Sequence, residues 1–146
     1  MRYMILDKKE VYFMIKDWTM EKNHDTKQIK ALEQVVEDAP NMSPELFELE
    51  YYFWITNIKR LKNYMNQYRQ YLANSLNDER ELSEASLSQE ELTALQSIVQ
   101  EATEKYNRIN ALKKKLDDCL RRNQVSSTSS PRVVGKDDLI KKLSYK

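Results

Sequence analysis

The chain has 146 residues with one glycine, three prolines and one cysteine. So few turn formers leave room for few elements, all of them long, and exclude glycine-rich phosphate loops; a lone cysteine excludes an internal disulfide framework and multi-cysteine metal sites. Charged residues make up 32% of the chain yet sum to a net charge of +1, so bulk electrostatics point to neither nucleic acid nor membrane.

The amino terminus, Met1 to Asp7, meets charge too early for the apolar region of a signal peptide, and no run reaches the roughly 18 apolar residues needed to cross a bilayer. An intracellular, cytoplasmic protein without a membrane span is the expectation, and a nuclear one is compatible with it. Asp7 and Glu10 have the spacing of a helix cap, with Leu6 and Val11 as a hydrophobic staple. A first helix over residues 8–20 then buries Val11, Met14, Ile15 and Trp18. Glu21 to His24 reads as a polar connection, Asp25 as a second cap, and residues 26–37 as a second short helix carrying Ile29, Leu32 and Val36 and ending before Pro40.

Ser43-Pro44-Glu45 combines a capping hydroxyl, a proline at the first helical position and an acid in the first turn. From there to residue 76 nothing breaks the helix. Phe47, Tyr51, Trp54, Ile58, Leu61, Met65, Tyr68 and Leu72 recur by fours and threes, which is a heptad seam. Asn77 to Leu87 is polar and reads as a connection. Ser88 to Glu91 is a capping box that opens a helix over 88–122. Its seam is Leu92, Leu95, Val99, Ala102, Tyr106, Ile109, Leu116 and Leu120, with Lys113 interrupting one inward position.

The predicted fold is therefore all-α: a coiled-coil hairpin of two long antiparallel helices, with the two shorter amino-terminal helices packed at its base. A turn near Leu82 sets Glu45, Glu48 and Glu50 level with Lys115, Arg121 and Arg122, and Lys59, Arg60 and Lys62 level with Glu101 and Glu104. Opposite charges then meet along the pair and select its register. Tyr51 to Ile55 is apolar around the whole helix, and Phe13 and Trp18 are the natural cover. Residues 1–122 form the helical domain. Residues 123–146 read as a flexible serine-rich linker followed by a short amphipathic segment.

Catalytic machinery is not legible. His24 is the only histidine, which rules out a paired-histidine metal site or a serine–histidine triad within one chain, and Cys119 lies late in a helix, away from the amino-terminal position that activates a thiol. No inward Glu-x-x-His motif for a bundle di-metal site occurs. Neither an enzymatic activity, a metal nor a cofactor is expected. Two functional readings follow. In the first, the protein is an interaction module, a scaffold, adaptor or subunit that binds another protein or itself through Tyr64 and Tyr71 and through Leu139, Ile140 and Leu143 of the tail, which dock on a partner's groove or on this protein's own body. In the second, Lys59, Arg60, Lys62, Arg69, Lys113 and Lys114, interleaved with tyrosines, contact nucleic acid. The competing view of those bases is a solvated helix face paired with its own acids.

Overall fold

The computed structural model describes residues 6–127, and among them every regular element is helical. Helix α1 spans Lys8–Asp38 and closes in a 3-10 turn, Ala39–Asn41. Helix α2, Pro44–Asn66, runs through a π turn, Gln67–Leu72, into α3, Ala73–Leu76. Helix α4 is Glu79–Ala85 and α5 is Gln89–Ser127. No helix among the described residues is long and apolar enough to cross a membrane.

The starts are set by side-chain caps. The Asp7 carboxylate accepts from the Glu10 N–H, and the Ser43 hydroxyl accepts from the Leu46 N–H. At α5 the bonding is reciprocal: Ser88 Oγ accepts from the Glu91 N–H at 3.1 Å, and Glu91 Oε1 accepts from the Ser88 N–H at 2.9 Å. Each satisfies backbone donors that lack a partner inside the helix.

Three expectations about the elements are corrected. Residues 8–20 and 26–37 are not separate helices; α1 runs unbroken through Glu21 to His24. No glycine or proline stands between Lys8 and Ala39, and Asp25, expected to cap, is instead 4% exposed on the buried face, seven residues after Trp18 and seven before Leu32. The heptad continues across the polar stretch with a carboxylate in it. The connection over 77–87 holds a helix of its own, α4: Asp78 accepts from the Arg80 and Glu81 N–H groups, and Ser86 ends it with a left-handed φ of 51°. Finally, α5 continues to Ser127, into the stretch read as linker, because extending a long helix costs no new nucleation.

The core is a single cluster. All eight predicted seam residues of the 44–76 stretch are buried, from Phe47 to Leu72. On α5, Leu95, Ala102, Ile109, Leu116 and Leu120 are buried as the seam requires, but so are Ile98 and Leu112. The α5 helix packs against both α1 and α2, so its buried arc is wider than a two-helix seam. Each fully buried Leu or Ile contributes roughly 1.5–3 kcal/mol.

Contacts define how the helices lie. Along α1 and α5 residue numbers rise together: Lys8 faces Glu91, Trp18 and Lys22 face Glu101, and Glu33 faces Arg108. Along α2 and α5 they run oppositely, with Tyr51 bonded to Asp117 and Arg69 set over Tyr106. The ion pairs expected between α2 and α5 are replaced. Among the described residues, the cross-helix ion pairs join α1 to α5, and Lys113–Asp117 and Arg121–Asp118 close within α5. The cover expected over Tyr51 to Ile55 is also different: Phe13 is 51% exposed, Phe53 is 61% exposed, and Trp18 sits instead against Tyr64 and Tyr68.

Candidate functional site

Three features lie outside ordinary core packing: a polar clamp at mid-bundle, an apolar stripe on α1, and a cationic groove between α2 and α5.

The clamp is built where the π turn begins. Tyr64 and Tyr68 both donate to Oδ2 of Asp17 at 2.7 Å, and Trp18 donates from Nε1 to Glu101 at 2.9 Å. The Trp18 ring stacks nearly parallel to Tyr64 and lies 4.9 Å from the Tyr68 centroid, with the Lys105 ammonium 5.0 Å from its own. Burial, and then the bond to Asp17, push both phenols well above their usual range, so at neutral pH they act as locked donors. Asp25 lies nearby, with Oδ2 lacking a hydrogen-bond partner among the described residues. Burial raises the Asp25 carboxyl despite the opposing charge of Lys105, and burial lowers Lys105 despite Asp25 and Glu101. This arrangement positions α1 against both other long helices. It ties up Tyr64, a predicted partner contact, in internal bonding; Tyr71 is half-buried.

The stripe consists of Tyr12, Phe13 and Met20, exposed by 61%, 51% and 69%. With Lys16, whose ammonium lies 5.9 Å from the Tyr12 ring centroid, they share an arc of about 100° on the face opposite the buried Val11, Met14 and Trp18. Leu46 and Phe53 on α2 are exposed as well.

The groove occupies about 390 Å³. Lys59 and Lys62 of α2 and Lys113 of α5 border it, together with Asn63, Asn66 and Tyr106. Ile55 and Ile58 line it as well, and no α1 residue closes it. Arg69, in the π turn, is held by Asn66 Oδ1 and lies 3.9 Å from the centroid of the Tyr106 ring, with Lys62 5.4 Å from the same centroid. A hydrogen bond to Asn110, the charges of Lys62 and Arg69, and a bond to Asn66 hold the Tyr106 phenol below its usual value, against a weaker upward push from burial. Of the six predicted basic contacts, Lys59, Lys62 and Lys113 meet here and Arg69 abuts them. Arg60 and Lys114 are exposed one residue around their helices, off the lining.

No family model, curated protein or solved structure matches the chain. Leu139, Ile140 and Leu143 lie outside the described residues. His24 is exposed on α1 rather than in a loop, and Cys119 is half-buried with Arg122 donating to its Sγ at 3.1 Å. Among the described residues no group of three or more His, Cys, Asp or Glu side chains is placed to hold a metal ion. Sequence reading missed Asp17 of the clamp and Asn63 and Asn66 of the groove, and gave Asp25, Glu101 and Lys105 other roles. The position of Asp25 was legible, since a heptad carried on from Trp18 lands on it.

Proposed function

We propose that the protein is a non-enzymatic interaction module, a helical scaffold or subunit that docks an apolar surface of another protein, or of a second copy, onto α1. Its framework in this reading is an antiparallel coiled-coil hairpin of the two longer strands of the bundle, α2–α3 and α5, stiffened by α1, and a lone cysteine fits a reducing, intracellular setting. The observation that carries the reading is the stripe of Tyr12, Phe13 and Met20. Three large apolar side chains in one arc, on a helix whose opposite face is already filled, suit a partner surface, because aromatic and methionine side chains are enriched at the cores of protein contacts. The Asp7 cap and the clamp hold that helix rigid, so little ordering entropy opposes docking.

The test is light scattering over a concentration series, paired with affinity capture, on the native chain and on the double variant Phe13→Glu, Met20→Glu. Both substitutions are on the solvent face, so helicity and melting temperature should hold. Self-association, or a saturable partner, that weakens by about tenfold or more in the variant is the expected result. A native chain that stays monomeric and captures nothing that the variant fails to capture refutes the reading.

A further inference from the structure

We infer that the groove between α2 and α5 is a binding site for nucleotide phosphates, with single-stranded nucleic acid the extended form of that ligand. The inference is independent of docking on α1, since no α1 residue borders the groove.

The net charge of +1 hides a strong segregation. From Tyr51 to Asn77 there are four cationic side chains, Lys59, Arg60, Lys62 and Arg69, and no acid; from Lys105 to Leu116 there are five, Lys105, Arg108, Lys113, Lys114 and Lys115, and again no acid. Helix packing sets the first run against the Lys113 side of the second, as the Tyr51–Asp117 and Arg69–Tyr106 contacts show, while Lys105 and Arg108 turn toward α1. The acids that would have neutralised them point elsewhere. Glu101 is spent on Trp18 and Lys22, and Glu104 borders a separate cleft of about 260 Å³ between α1 and α5, beside Glu33 and Arg108. Lys59 and Lys62 have no acidic partner among the described residues, and Lys113 shares Asp117 with Tyr51. The Tyr106 phenol beside them is held below its usual value first by its hydrogen bond to Asn110 and then, against burial, by the charges of Lys62 and Arg69.

The remaining lining selects among anions. Ammonium groups recognise phosphate as point charges, and an open groove of this size accepts more than a bare inorganic ion. Half-buried Ile55 offers an apolar surface for a base or ribose above the buried Ile58, and exposed Asn63 presents an amide of the kind that reads a base edge, whereas the Asn66 amide is already engaged by Arg69. A cationic track beside an apolar and aromatic surface is how sequence-tolerant single-strand binding is built.

The experiment is fluorescence anisotropy with a labelled single strand of about ten nucleotides, titrated at several salt concentrations. Binding should weaken with a log–log slope of about −2 to −3, as for three or four neutralised phosphates. The triple variant Lys59→Ala, Lys62→Ala, Lys113→Ala should lose about tenfold or more in affinity at low salt and flatten the slope, whereas Lys9→Ala, Lys27→Ala, Lys30→Ala on α1, which removes equal charge, should change it little. Competition with ATP and with inorganic phosphate sorts the ligand's source. Displacement by ATP assigns a mononucleotide site, and displacement by neither, with the strand bound, assigns an extended strand. Because Lys113 also pairs with Asp117, side-chain amide resonances of Asn63 and Asn66 in the unsubstituted protein give a second reading, and they should shift on titration. Absence of binding at low salt, an equal loss in the α1 triple variant, or unmoved Asn63 and Asn66 resonances overturns the inference.

Discussion

Asp25 shows what one residue costs when a heptad runs through it. Its carboxylate occupies a seam position with one oxygen lacking a hydrogen-bond partner among the described residues, in a neighbourhood where Lys105 and, less strongly, His24 are attractive and Glu21 and Asp17 are repulsive. Desolvation raises its folded-state pKa above the unfolded value, so the folded form holds its proton more tightly. Stability linked to this group is therefore greatest at low pH and falls as pH rises from the unfolded value through the raised one; at neutral pH the full cost of the buried charge is present. Replacing a buried charge by a well-packed apolar side chain is often stabilising. Asp25→Leu is expected to gain about 1 kcal/mol at pH 7, with the gain shrinking toward pH 3, as chemical denaturation at the two pH values would read. Equal stability of variant and native chain at pH 7 would mean that Lys105 already compensates the carboxylate in full.

At the scale of elements, caps decide where helices start and tertiary partners decide where they continue. The Ser88–Glu91 box opens a helix of 39 residues, about 60 Å long, and supplies two bonds that no other group provides. Ser88→Ala should cost about 1 kcal/mol and speed hydrogen exchange over the first turn of α5, while leaving the exchange of Ile109 to Leu116 unchanged. Exchange that accelerates uniformly along α5 would show that the box stabilises the whole bundle rather than its own end. The π turn at Gln67–Leu72 belongs to the same scale: within it Tyr68 faces Asp17 on α1 while Arg69 lies over Tyr106 on α5, so one widened turn serves two neighbouring helices.

In the molecule as a whole, α1 running alongside α5 in the same direction redistributes the charges. Amine-reactive crosslinks report this arrangement directly. Lys22 to Lys105 and Lys59 to Lys113 should be abundant within the monomer, since Lys105 donates to the Lys22 carbonyl and Lys59 and Lys113 border one groove. Lys59 to Lys105 should be weaker, because Lys105 is turned toward α1. A map in which Lys59–Lys105 dominates would mean that α1 does not occupy that flank.

The sequence alone determined the all-helical character, the helix starts at Lys8, Pro44 and Gln89, and the entire buried seam from Phe47 to Leu72, because caps and heptad spacing are local and act within a few residues. It misread Asp25, since a carboxylate three residues before Gln28 fits a capping pattern, and that local signal masks the heptad that runs from Trp18 through Asp25 to Leu32. Only the tertiary structure decided that α1 is continuous, that Glu101 and Glu104 turn toward it, and that Lys59, Lys62 and Lys113 are left together around a groove. Those outcomes depend on which helix occupies which flank of α5, a three-body choice among chain segments far apart in sequence that no single periodicity encodes.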